Sequence, residues 1–417
     1  MSSGKEVPLS FFGNTPQVPV DHISARVEEY TQDDFPHKVN LIQSAPYSGQ
    51  DTCSVLPSVR EAASRLNKQE VFQGSSPFLG HVGLRDAAAK SILGEEISST
   101  GGSQIITCQA NSDIGAFNLA CKLVSRFHSP QGKVYLPEAP CSNYSQAALE
   151  AGLECEVFNL YDTGCKQIGM DAYKKMLMAA QPGSAVLLYA CGNDVTGTDF
   201  SEEEWIELGK IIKERKLFPV FNASYLGLAS GSVDKDAYAI RYFIGELKIE
   251  TAICASYDHS MRLYGEGVGC LLVYTSSDSI ASECFTHLEH IQRSQISSPP
   301  RYGASIVHLL LTDPELNEQW SKDLEELVDR SRYLRRYLYD SLLDQAIPGQ
   351  WNFIIRQKGL FGFLGLSTAV VKELRETYHI YMADNSGICV AALNEENATY
   401  LAIAMADCVR NELLNDF

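Results

Sequence analysis

The chain is short of positive charge. Against 52 aspartates and glutamates it has 34 lysines and arginines, a formal net charge of -18. Neutralising phosphate takes clustered Lys and Arg, so this balance argues against nucleic acid and anionic membranes as main partners. Long apolar runs are lacking as well. No window reaches the ~18 consecutive apolar residues of a transmembrane helix. The opening MSSGKEVPLSFFGNTPQVPV lacks the apolar core of a signal peptide. None of the 12 cysteines forms a Cys-x-x-Cys pair, so a structural zinc site is not expected. Several, such as Cys254 and Cys270, lie inside apolar runs and read as small core residues. A reducing compartment, most simply the cytoplasm, fits this usage. There is no internal repeat and no long low-complexity tract.

What is present is an ordinary globular composition, 45% hydrophobic and 21% charged over 417 residues, enough for a sizeable core. The runs SQIITC, KVYLPE, CEVFNL, SAVLLYACG, FPVFNAS, TAICASY and VGCLLVY read as strands, with helical patterns between several of them. The clearest helix is SEEEWIELGKIIKERK. Ser201 and Glu204 have capping-box spacing, Trp205, Leu208, Ile211 and Ile212 recur on one face, and Lys213, Arg215 and Lys216 suit the C-terminal dipole end. Near-continuous apolar strands alternating with helices predict an α/β fold with a mostly parallel sheet covered on both faces. PELNEQWSKDLEELVDRSRYLRRYLYDSLLD predicts one long helix, followed by a smaller α+β region with short strands in GLFGFLGL and GICVAAL. The expected division is an N-terminal arm at 1–14, a small domain from 15–49 and 321–417, and a large domain at 50–320, with a hinge near 315–325.

In such sheets ligands bind beyond the carboxyl ends of the strands. Those ends read ANSDIGA, CGNDVTG, FNASYLGLASG and ASYDHS, so four loops are expected to converge on one crevice of the size a large cofactor needs. Asp113, Asp194, Asp258 and His259 would face it. Mixed imidazole and carboxylate groups suit a divalent cation, but this spacing is not diagnostic of one. His259 alone reads as a polar residue in a cleft, as a proton-transfer group, or as a ligand.

The chain resembles the aspartate aminotransferases, which use pyridoxal phosphate. The resemblance runs from HKVNL through VLPSVREA, GSAVLLYACGNDVTGTDFSEEEW, LFPVFNASYLGLASG, LYGEGVG and SSPPRYGASIV to LNEENATYLA. It implies a large cofactor domain, a small domain built from both chain ends, and a homodimer with sites at the subunit interface. It also implies conversion of L-aspartate and 2-oxoglutarate to oxaloacetate and L-glutamate.

Carried over residue by residue, the resemblance implies a much altered site. The lysine that would form the Schiff base is His259, and imidazole has no primary amine to form one. The carboxylate that would keep the pyridine nitrogen protonated is Asn222, a neutral amide. Tyr225 is retained beside it. Ser112 and Ser256 stand in the phosphate cradle with Asp113 next to them, the cradle's arginine is Gly267, and the neighbouring subunit's tyrosine is Ser75. Asp194 replaces an asparagine, Cys141 a stacking tryptophan, and Gly387 the arginine for the α-carboxylate. Arg293 is retained and would reach the distal carboxylate of a dicarboxylic acid in the neighbouring subunit. The implied alternatives are an impaired aminotransferase and a non-catalytic binding or dimerisation partner, including a mixed dimer with an active aminotransferase. Rescue by Lys248 is not expected, because it precedes its strand and so lies at the far end.

Overall fold

A computed structural model describes residues 11–13, 15–18, 20–42, 55–68, 74–127, 133–138, 143–162, 166–194 and 196–415. The expected N-terminal arm falls almost wholly outside them, as do Cys53, Cys141 and Cys165.

Seven strands form one sheet: β1 (Ile105–Asn111), β2 (Lys133–Pro137), β3 (Glu154–Phe158), β4 (Ala185–Tyr189), β5 (Phe218–Ala223), β6 (Thr251–Ser256) and β7 (Val268–Tyr274). Their spatial order is β1-β7-β6-β5-β4-β2-β3. The strands pair in parallel from β6 to β3, while β7 runs antiparallel to both β1 and β6. β1 and β6 therefore point the same way, and six carboxyl ends share one edge. Every residue of β4, β6 and β7 is buried. That is why these strands read as unbroken apolar runs rather than as an alternation.

Helices cover both faces. α1 (Val82–Thr100), α2 (Ser112–Phe127), α3 (Asn143–Glu150), α4 (Glu202–Arg215), α5 (Asp278–Ile296), α6 (Tyr302–Thr312) and α7 (Pro314–Asp344) carry the packing used below. α4 closes as expected. Ser201 accepts from the Glu204 N–H at 3.2 Å, and the Glu204 carboxylate accepts from the Ser201 N–H at 2.7 Å. Its C-cap, Lys216, takes the left-handed conformation. Trp205, Leu208 and Ile212 are buried beneath it; Ile211 is only partly covered.

α7 starts at Pro314, with the Asp313 carboxylate accepting two first-turn N–H groups at 3.1 Å. The helix is continuous through 315–325, where the sequence suggested a hinge. The change of surroundings occurs further along. Leu316, Trp320 and Leu324 pack with the sheet, whereas Leu334, Leu338 and Leu342 pack with Ile388, Leu401 and Met405 in a second cluster. Proline at a first helical position starts a helix, so Pro314 opens α7 as the sequence predicted. In the C-terminal part, β8 (Phe361–Phe363) pairs antiparallel with β9 (Gly387–Cys389).

Candidate functional site

Four of the parallel strands end in polar residues that meet in one crevice. β1 turns into α2 at Ser112, whose φ is 60°. The turn is fixed from the other side, since the Ser112 N–H donates to the Gly267 carbonyl at 3.0 Å. The Ser112 hydroxyl lies 3.2 Å from that of Ser256 at the end of β6 and donates to Asp113 at 2.8 Å. Asp113 also accepts from the Tyr144 hydroxyl of α3. Tyr144 in turn accepts from the Asn222 amide of β5 at 2.6 Å. The other end of that amide is occupied too: Asn222 Oδ1 accepts from the Ser224 N–H at 2.9 Å and its hydroxyl at 2.7 Å. The polar groups of three strands thus bond mainly to one another.

Beyond β6 lies a turn that carries Asp258 and His259. Asp258 accepts from the Val268 N–H at 2.9 Å, tying the turn to β7. The indole N–H of Trp320 donates to the Ser260 carbonyl at 3.0 Å, tying it to α7. The His259 ring stands 4.8 Å from that of Tyr225, and Tyr264 meets it edge-on at 5.3 Å. Its Nδ1 is buried without a hydrogen-bond partner among the described residues. The Tyr225 hydroxyl donates to Asp194 at 3.2 Å, whose other oxygen is likewise buried and unpaired. His259 borders a cavity of about 1280 Å³, shared with Arg262, Tyr264, Leu360 and Arg330.

The electrostatics follow from burial and from crowded carboxylates. Burial, and then the charge of Asp113, push the Asp194 carboxyl up to about 6. Burial also raises Asp258, against hydrogen bonds that favour its charged form. Burial pulls His259 down, opposed by Asp113. The Tyr144 and Tyr225 phenols are held well above their ordinary value, first by burial and then by the neighbouring carboxylates. An imidazole with a depressed pKa is mostly neutral at pH 7 and can accept or pass a proton. Among the described residues no group of three His, Cys, Asp or Glu is placed to hold a metal ion.

The structure brings Ser112, Asp113, Asp194, Asn222, Tyr225, Ser256, Asp258 and His259 together. Gly387 lies in β9, opposite Phe363 of β8, and Phe361 of β8 meets the Tyr225 ring at 5.8 Å. Arg293 stands apart: it is exposed near the end of α5, with its guanidinium 4.9 Å from the centre of the Phe78 ring. Ser75 is exposed, and Lys248 precedes β6 at the opposite end of the sheet. Gly267 has φ 59°, and a Cβ there would fall 2.0 Å from Asn111 Oδ1. The residue the sequence reading missed is Tyr144, the link between Asp113 and Asn222. It lies on a half-apolar helix, where an aromatic residue reads as core, and no spacing marks it as polar machinery.

The model of the family described as aminotransferase class I and II matches residues 36–405. The chain is 33% identical to chloroplastic aspartate aminotransferase 3 of Arabidopsis thaliana over 397 residues, 95% of this chain and 88% of that one. It is 32% identical to the cytoplasmic aspartate aminotransferase of Saccharomyces cerevisiae over 412 residues, 96% and 97% of the two chains. The structure of the aspartate aminotransferase from Saccharomyces cerevisiae cytoplasm superposes with a TM-score of 0.92 at 30% identity, covering 96% of this chain and 99% of that one. The aromatic-amino-acid aminotransferase of Burkholderia pseudomallei, covalently bound to pyridoxal phosphate, superposes with a TM-score of 0.91 at 30% identity, covering 96% and 100%. By its sheet, its crevice and these matches, the chain belongs to the class I and II aminotransferases and is similar throughout its length to aspartate aminotransferases.

Proposed function

We propose that this protein is an aspartate aminotransferase homologue that has lost lysine-linked catalysis and acts as a binding and pairing member of its family. The observation that carries the reading is His259 in the crevice. A half-buried imidazole, its Nδ1 buried and its ring against Tyr225, occupies the turn where the family resemblance expects the Schiff-base lysine. Family membership supports pyridoxal phosphate as the cofactor of this fold, and L-aspartate and 2-oxoglutarate as the substrates of its active members.

The donor set here does not fit covalent attachment of that cofactor, and fits its phosphate poorly. Imidazole supplies no primary amine. Both ends of the Asn222 amide are taken by Tyr144 and Ser224. The start of α2, which would attract a phosphate, already faces the carboxylate of Asp113. At ~4 Å and an effective dielectric of ~20, one like-charge contact costs on the order of 4 kcal/mol. The space an arginine would need at position 267 is filled by Asn111.

In this reading the chain pairs as a homodimer, or with an active aminotransferase in the cytoplasm. Arg293, exposed on α5, is then the group it offers to a neighbouring subunit. The division into a small domain (15–49 and 321–417) and a large one (50–320) belongs to the same proposal. The test is to mix the purified protein with pyridoxal phosphate, record the absorbance spectrum, reduce with borohydride and map modified lysines by mass spectrometry. No specific adduct is expected. A single stoichiometric adduct near the crevice would identify a substitute lysine and overturn the reading. Consistent self-pairing on co-expression with an active cytoplasmic aminotransferase would remove the mixed dimer.

A further inference from the structure

Away from the crevice, four basic side chains meet where two helices begin. α1 has His81 as its N-cap, and α6 has Arg301 at the same position. Gln109 of β1 joins the two starts. Its Oε1 accepts from the His81 N–H at 2.9 Å, and its Nε2 donates to the Pro300 carbonyl at 2.7 Å. His81 Nδ1 accepts from the Leu84 N–H at 3.0 Å, which leaves Nε2 of the neutral ring as a donor. The His308 ring of α6 lies 5.2 Å from that of His81. It can approach so closely because residue 83 is glycine: a Cβ there would meet ring atoms at 2.6 and 2.8 Å. Arg85, one turn into α1, donates to the Thr107 carbonyl at 3.2 Å.

Cations and helix N-termini repel one another, so this grouping is unfavourable as it stands. Burial, then His308 and the two arginines, hold the His81 imidazole below its ordinary pKa. Among the described residues, Arg85 Nε, Arg301 Nε and His308 Nδ1 are buried without a hydrogen-bond partner. Neither arginine is ion-paired with a carboxylate of the described residues. Glu266 packs against Gly303, its carboxylate 2.8 Å from where a Cβ would stand, and forms no ion pair with them.

We propose that Arg85, Arg301, His81 and His308 form a binding site for a small oxyanion of phosphate size. Guanidinium forks and free N–H groups at helix starts are what such an anion recognises. An anion here would partner the orphaned donors and relieve the repulsion together. The site uses no residue of the crevice, so it stands or falls independently of the function proposed above.

The full-length protein is titrated with sodium phosphate by calorimetry at pH 7, against sodium chloride at matched ionic strength. One phosphate per chain is expected. Arg301→Ala should weaken it at least ~10-fold, as loss of a charge-assisted fork does. His308→Gln should weaken it less, and Ser256→Ala, in the crevice, should leave it unchanged. Thermal unfolding checks that each variant is folded. If Arg301→Ala fails that check, Arg301→Lys, which keeps the charge without the fork, should still weaken binding. No phosphate binding by the native protein, or binding lost with Ser256→Ala and kept with Arg301→Ala, would overturn the proposal. So would a phosphate-driven loss of self-association in sedimentation, since the occupant would then be a carboxylate of a second copy.

Discussion

The starts of α1 and α6 differ from the start of α2 in one decisive way. All three lie beside β1. At α2 the chain supplies its own anion, for Asp113 accepts from Ser112 and Tyr144 and sits against the helix start. At α1 and α6 the nitrogens of Arg85, Arg301 and His308 are left without partners among the described residues, although Nδ1 of His81 caps α1 and the Glu266 carboxylate lies against Gly303 of α6. The start of α2 therefore holds a carboxylate bonded to its neighbours, whereas the starts of α1 and α6 stand beside donors that no carboxylate bonds. A helix start signals an anion site only when no side chain of the protein has already filled it.

The first way to press this comparison is to restore the chemistry the closed site lacks. His259→Lys puts a primary amine back into the crevice. It leaves Asn222 bound to Tyr144 and Ser224, and it leaves Asp113 at the start of α2. Each missing charged hydrogen bond is worth ~2 to 4 kcal/mol to catalysis, and such losses compound. Turnover of L-aspartate with 2-oxoglutarate should therefore stay more than ~100-fold below that of an ordinary member of the family. Turnover closer than that would mean that the single residue, not the whole closed network, is the obstacle.

A second variant opens the closed site. Asp113→Asn keeps a polar side chain next to Ser112 and Tyr144 but removes the negative charge. With up to ~4 kcal/mol of like-charge repulsion gone, phosphate binding in the crevice should strengthen at least ~10-fold, read by calorimetry in an Arg301→Ala background. An unchanged affinity would show that the occupied amide of Asn222 and the filled space at Gly267 exclude phosphate by themselves.

The sheet, α4 and the run of α7 were legible because burial on both faces, capping residues and helical periodicity are local signals. The strand ends were legible as well, since a polar residue closing an apolar run marks where a loop leaves the sheet. Who bonds to whom across them was not. Tyr144 joins Asp113, 31 residues before it, to Asn222, 78 residues after it, and nothing in its local sequence says so. The basic cluster was hidden for the same reason. His81, Arg85, Arg301 and His308 come from two distant segments that meet through helix packing, at Gln109 and at the small Gly83. In a chain with net charge -18, composition gives no sign of a cationic site.

The crowding of carboxylates in the crevice should also show in stability. Burial and then the charge of Asp113 push the folded Asp194 carboxyl up to about 6, above the ordinary value of an aspartate. The folded state therefore holds a proton that the unfolded chain has released, and this favours folding only at low pH. The contribution is lost as pH rises from about 4 to about 6. Above that, burial of the ionised group works against the fold. Asp194→Asn should raise stability by about 1 to 3 kcal/mol at pH 7.5. The gain should fade toward pH 4, followed by urea unfolding across that range. A gain independent of pH would assign the effect to packing or to the Tyr225 hydrogen bond instead.

The smallest effect makes the open site resemble the closed one. His81→Asp places a carboxylate at the N-cap of α1, where it can accept from the Leu84 N–H as Nδ1 does now, and aspartate is among the best residues for that position. It also brings a negative charge toward Arg85 and Arg301 and removes one of two facing imidazoles. In the native protein the folded state resists protonation of His81 while the unfolded chain does not. Its contribution to stability is thus present above the ordinary imidazole pKa and lost as pH falls through it. The variant should be about 1 kcal/mol more stable at pH 7, with a wider margin at pH 5.5, and should bind phosphate at least ~10-fold more weakly because its own carboxylate now holds the place. Greater stability together with undiminished phosphate binding would separate the cap from the anion and locate the oxyanion on Arg301 and His308 alone.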